Sequence, residues 1–304
     1  MAVQNRIGLK VLIIIKLSFP PGWVQSDETI MQIRKLTGTI GAEIFDVNVA
    51  QPLSVEVLAE VRQCLLDHCV IFFRDQSLTK EEHIAFVKQF GKISSSPVYK
   101  TLATHPEIMP VIKEPQDSDI IGDTWHTDET YQDTPPLGSV LYALQVPAVG
   151  GDTLWCNLYR AYDTLSDGLK AKLEGMRAVH TNSYLTGNVD ARNATRSTKL
   201  LETVGVNHVV HPVVRTHEET GRKCLFINRP FTHAFEGMTR EESLPLLNYL
   251  YEHSAKSENT CRFRWQKGSI AFWDNRCTMH YAINDYPGER REMHRITIQG
   301  IRPQ

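Results

Sequence analysis

The second half of the chain is a succession of short apolar segments, at 138–144, 208–215, 222–228, 260–265, 269–274 and 294–301. Segments of this length, set between turn-forming residues, read as strands. No helical pattern alternates with them, so a parallel βαβ sheet is excluded. There is no internal repeat and no low-complexity tract. The pattern predicts a mainly β protein with peripheral helices (α+β), specifically a double-stranded β-helix, or jelly roll, with helices packed on one sheet. At 304 residues such a fold is expected as a single domain over 30–304.

Local signals place the remaining elements. Residues 30–50 alternate as strands do. Ser54 is a predicted N-cap for a helix reaching Cys69, with Leu58, Val61 and Leu65 on one face. Val70-Ile71-Phe72-Phe73 reads as a buried strand. Thr79 and Glu82 form a predicted capping box, and Gly91 is expected to stop the helix it opens. A second box, Thr239 with Glu242, opens a helix that Pro245 is expected to weaken or bend early. The polar stretch 183–204 lacks apolar periodicity and is long enough to be a lid. Residues 1–29 are treated as an extension, with an edge strand as one reading. Its apolar run Val11–Ile15 is ended by Lys16 and is too short to span a bilayer.

Charge and cysteine usage narrow the function. The formal net charge is −2, which favours neither nucleic acid nor an acidic membrane surface. Anion binding must then come from local arginines. Six cysteines form no C-x-x-C pair, as expected of a reduced, cytoplasmic chain.

The chemistry-bearing residues are His126, Asp128 and His280. Two imidazoles and a carboxylate can occupy one triangular face of an octahedral ion and leave the other open, which suits ferrous iron in oxygenases. In a strand, His126 and Asp128 would share a face. A lone H-x-D tripeptide is weak, and a surface His near an Asp is its plainer reading. Arg291 and Arg295, four apart, also share a strand face, with Met293 between them; Glu292, His294, Ile296 and Ile298 take the other. Alone they would read as structural ion pairs. Beside a metal their forks match carboxylates, which points to a dianionic cosubstrate and an anionic organic substrate. Gly150-Gly151-Asp152-Thr153 adds a hydroxyl after a tight turn. A zinc hydrolase could use the same ligands but would leave Arg291 unexplained.

On Trp125-His126-Thr127-Asp128, Gly150 through Trp155, His211 through His217, and Trp273-Asp274-Asn275-Arg276 through His280 to Arg295, the chain resembles the iron(II)/2-oxoglutarate dioxygenases of the taurine dioxygenase type. These include aryloxyalkanoate and alkylsulfate dioxygenases. The resemblance covers roughly 33–303. It implies His126, Asp128 and His280 as Fe(II) ligands, Thr153 and Arg291 on the distal carboxylate of 2-oxoglutarate, and Arg295 on the substrate anion. Dioxygen is the oxidant, and succinate and carbon dioxide are products. It also implies a homo-oligomer, dimer or tetramer.

The match departs from the taurine enzymes around the substrate. Ser96 stands where they carry a histidine, in Ser96-Pro97-Val98-Tyr99, while Tyr99 is retained as a pocket residue. Gly122 stands where an asparagine is expected. Both changes are expected to remove polar contacts and open space. Phe226 falls at a pocket aromatic, with core packing as its alternative. Trp125 and Trp273 read as packing residues, and His211 and His217 as partners of backbone groups. The expected reaction is hydroxylation next to a heteroatom. A taurine-like sulfonate, giving sulfite and an aldehyde, is the first reading; an aryloxyalkanoate or alkylsulfate ester is the alternative. A reading of another class is a non-catalytic metal- or ligand-binding module.

Overall fold

The computed structural model of the chain describes residues 23–24, 31–187, 189–202 and 205–304. Its organising element is the strand Val70–Phe73, buried along its whole length. It pairs parallel with Ala42–Phe45 and antiparallel with Ile270–Asp274. From there the major sheet continues through Gly138–Gln145 to Arg291–Ile298, whose other edge takes Ile93–Ser94 and Met109–Lys113. The opposite edge is Gln32–Lys35 with Trp23–Val24. Apart from that pair, the extension 1–29 lies outside the described residues. A smaller sheet, Thr260–Phe263, Thr153–Asn157 and Thr278–Ala282, faces the major one.

Period-2 alternation gives the major sheet two buried faces. Ile71, Phe73, Phe272, Ile296 and Ile298 share one core with Val61 and Leu65 of the helix Val55–His68 and Phe86 of the helix Lys80–Lys88. Val70, Phe72, Trp273 and Met293 turn the other way, into a core shared with Trp155 and Phe263 of the small sheet. Phe72 stacks on Phe263 with centroids 4.0 Å apart. Each such side chain contributes roughly 1.5–3 kcal/mol by leaving water. This is the expected jelly roll, with helices on one sheet.

Ser54 and both capping boxes are present. Several expectations need correction. The helix after Thr79 ends at Lys88, before Gly91. The segment 208–215 is two strands, His208–Pro212 and Val214–Thr216, in different sheets. The break falls after Pro212, and the Val213 N–H donates instead to the Met176 carbonyl. The strand expected at 222–228 is only Lys223–Leu225. The last strand starts at Arg291 and ends at Ile298. The described residues of 183–204 hold two short helices, Ser183–Thr186 and Val189–Thr195. Among the described residues no helix is long and apolar enough to cross a membrane.

Candidate metal centre

His126 and Asp128 do not sit in a regular strand. His126 forms an isolated antiparallel bridge with His280, and Asp128 opens a turn. The bridge is made by two backbone hydrogen bonds, His126 N to His280 O at 3.0 Å and His280 N to His126 O at 2.8 Å. Directly paired residues on neighbouring strands point their side chains the same way, so the two imidazoles lie together, centroids 4.0 Å apart. Two further stitches hold the loop. Thr127 Oγ1 donates to Thr278 O at 2.8 Å. Asn275 clamps the Asp128 backbone from both sides, accepting from its N–H at 2.8 Å and donating to its carbonyl at 3.0 Å.

The three donors converge. Asp128 Oδ1 is 3.8 Å from His126 Nε2 and 3.9 Å from His280 Nε2, too far for hydrogen bonds. All three ligand atoms lie within 4.8 Å of one another. His126 Nδ1 lies 2.7 Å from Thr124 O; donating there puts its proton on Nδ1 and the lone pair on Nε2. Burial pushes both imidazoles below the usual histidine range, and neutral rings are what a metal needs. Burial alone would raise the Asp128 carboxyl. Arg295 and the two imidazoles outweigh it and hold the group at about 2. Its oxygens are steered by Arg295 Nη1 on Oδ1 at 2.9 Å and Ser139 Oγ on Oδ2 at 3.1 Å. Trp273 packs on the His280 ring, centroids 4.8 Å apart, and Trp125 packs on Tyr281 at 5.8 Å.

A cavity between the two sheets opens on this cluster. It is lined by Gly122, His126, Thr153, His280, Arg291 and Arg295, with apolar walls that include Val111, Ile121, Leu141, Trp155 and Trp273. Thr153 faces Ala282 across the small sheet, and its Oγ1 accepts from Trp265 Nε1 at 2.9 Å. Arg291 is buried over the Trp265 ring, and its Nε has no hydrogen bond.

The outer residues expected in the pocket are placed differently. Phe226 is buried, stacked on His180 and crossed by His211, and does not line the cavity. Ser96 donates to Glu129 Oε1 at 2.6 Å rather than facing the cavity. Tyr99 is buried against Met109, Tyr131 and Leu200, one layer behind the walls. Gly122, by contrast, does line the cavity. Its φ is +87°, and a Cβ there would meet His126 Cε1 at 3.0 Å.

The sequence reading missed four groups. Asn275 and Ser139 hold Asp128. Glu129 is buried beside Arg295, and burial raises its carboxyl to about 7 against the pull of Arg295. The fourth is a buried ionic lock. Arg276 donates to both oxygens of Asp274, at 2.8 and 2.6 Å, and His217 lies 3.0 Å from Oδ2. His217 with Asp274 and Cys277 also has the spacing of a metal site, but Asp274 is committed to the guanidinium. The Asp-x-Arg spacing inside an apolar motif was the available signal.

A jelly roll that presents two histidines and a carboxylate, with arginines on a strand of the facing sheet, defines the class of mononuclear iron oxygenases using a keto-acid cosubstrate. The family model described as Taurine catabolism dioxygenase TauD, TfdA family matches residues 32–297. The chain belongs to that family and is an α-ketoglutarate-dependent dioxygenase, with Fe(II), 2-oxoglutarate and O2 as the reactants its chemistry requires. It is 35% identical to the alkylsulfatase of Acinetobacter baylyi, over 91% of this chain and 88% of that one. It is 32% identical to the α-ketoglutarate-dependent sulfate ester dioxygenase of Pseudomonas putida, over 90% and 91%. The crystal structure of a taurine dioxygenase from Burkholderia xenovorans superposes with TM-score 0.76 at 36% identity, covering 90% of each chain.

Proposed function

We propose that the protein hydroxylates an organic sulfate ester at the carbon bearing the ester oxygen, so that the product collapses to an aldehyde and sulfate. His126, Asp128 and His280 hold the iron, and bound iron(II) supplies oxygen activation coupled to decarboxylation of 2-oxoglutarate to succinate. The donor set fits the ion: two neutral imidazoles and one ionised carboxylate, converging without hydrogen bonds among themselves. Arg291 and Thr153 receive the distal carboxylate of 2-oxoglutarate. Trp265 fills an acceptor position of the Thr153 hydroxyl, which leaves its proton to donate. Arg295 fixes Asp128 and turns its remaining donors toward substrate. The apolar walls exclude water from the reacting centre.

The observation that carries the substrate class is the cavity lining. It joins guanidiniums to apolar walls, and among the described residues that line it there is no carboxylate to receive an ammonium. A zwitterion such as taurine is disfavoured there, whereas an anion on an alkyl chain is matched. Two relatives named for sulfate esters point the same way. An aryloxyalkanoate is the second reading, because a relative from Cupriavidus pinatubonensis, 32% identical, is named for 2,4-dichlorophenoxyacetate. Succinate release with hexyl sulfate, taurine and phenoxyacetate separates the readings. Hexyl sulfate is expected to give the largest increase over substrate-free turnover; no increase with it overturns the proposal. We also place the enzyme in the cytoplasm, as a single domain over 30–304 assembling into a dimer or tetramer, which light scattering would test.

A further inference from the structure

Arg196 is buried, yet its Nε and Nη2 carry no hydrogen bond. These two nitrogens form one edge of the guanidinium, the edge that grips an oxyanion with two parallel hydrogen bonds. A buried charged fork with nothing in it is costly and calls for a partner. Its backbone is firmly held. Arg196 follows the helix Val189–Thr195 directly, and its carbonyl accepts from Lys199 Nζ. Ser197 N donates to Asp117 Oδ2 at 2.8 Å, and Thr198 Oγ1 exchanges hydrogen bonds with both backbone groups of Ile112. Leu200 bridges Tyr99. The segment therefore packs on the strand that carries Val111 of the cavity wall, with Arg196 one layer behind the lining residues. The Arg196 charge is felt by Asp123, next to the cavity-lining Gly122, and by Tyr99, which also feels Arg295.

Arg295 is poorly suited to hold the substrate anion alone. Its Nη1 is bonded to Asp128, and its charge faces both Asp128 and Glu129. Part of its charge is thus already answered by two carboxylates that stand behind the cavity lining. Building on the oxygenase reading above, we propose that Arg196 is a substrate-binding residue, whose free fork receives the oxyanion head of the organic substrate: sulfate ester, sulfonate or carboxylate. The segment 189–202 then carries the substrate's counter-charge.

The test is equilibrium binding by titration calorimetry of hexyl sulfate, hexanesulfonate and phenoxyacetate to the anaerobic Fe(II)–2-oxoglutarate protein. R196Q is expected to weaken the best of these probes by about tenfold or more, as loss of charge-assisted bonds does. R196K, which keeps the charge but not the fork, should fall between. Formation of the visible Fe(II)–2-oxoglutarate charge-transfer band should be unchanged in both variants, showing that fold and metal site are intact. Unchanged probe affinity in R196Q, parallel loss of the band, or no binding of any probe to the wild type each overturns the assignment. Absence of the band in the wild type would instead sink the underlying oxygenase reading, while the calorimetry still judges Arg196 on its own.

Discussion

Gly122→Ala separates two physical demands at the metal centre. Gly122 has φ +87°, and an added Cβ would lie 3.0 Å from His126 Cε1 and 3.7 Å from Ala282 Cβ. The backbone demand costs about 1–2 kcal/mol for an L-residue in the left-handed region. The contact is tighter than ordinary packing, so the imidazole must give by a few tenths of an ångström. That exceeds the roughly 0.2 Å tolerance of metal–ligand distances, and disturbing a ligand's support typically lowers metal affinity about 10- to 100-fold. Anaerobic Fe(II) titration at saturating 2-oxoglutarate, read by the charge-transfer band, should show weakening in that range. Thermal denaturation of the metal-free protein should show the backbone cost. Gly122→Asn tests the split, because asparagine tolerates the left-handed backbone but keeps the Cβ: it should recover part of the stability and little of the affinity. If Gly122→Ala bound iron like the parent, the reasoning about His126 would be wrong.

Other substitutions probe neighbouring parts. Arg291→Gln should raise the KM for 2-oxoglutarate far more than that for the organic substrate. Arg295→Gln should weaken both substrate and iron, since Asp128 Oδ1 loses its 2.9 Å donor; steady-state kinetics showing the reverse partition would refute these roles. Arg276→Met leaves the buried Asp274 carboxylate without its two-point partner and should cost about 3–5 kcal/mol in urea denaturation, whereas a neutral effect would mean that the lock is dispensable. Burial holds the His83 imidazole down to about 3, with His294 adding to the effect. As pH falls from 6.5 toward that value, the unfolded chain takes a proton that the folded one refuses, so stability is lost across this window. His83→Phe should lose less stability than the wild type between pH 7 and pH 5, and parallel curves would exclude His83 as the cause.

What was legible in the sequence follows from how local each signal is. Ser54, Thr79 and Thr239 announce their helices because a cap acts within one turn. Two short helices, Leu158–Asp163 and Asp167–Leu173, were missed although Asn157 and Ser166 cap them; helices so short show no apolar period to accompany the cap. The His126–Asp128–His280 triad was readable as a motif, but not its geometry. A strand was expected to present His126 and Asp128, whereas pairing of His126 with a residue 154 positions later aligns the rings. The outer pocket was least legible. Whether Phe226 or Ser96 faces a cavity depends on packing between elements far apart in sequence, and Ser96 is taken by Glu129, a partner no local pattern indicates.

The most direct test of the account is an anomalous difference map, at the iron edge, of crystals grown anaerobically with Fe(II) and 2-oxoglutarate. One peak is expected, about 2 Å from His126 Nε2, His280 Nε2 and an Asp128 carboxylate oxygen. A peak at His217, Asp274 and Cys277 instead, or none near His280, would contradict it.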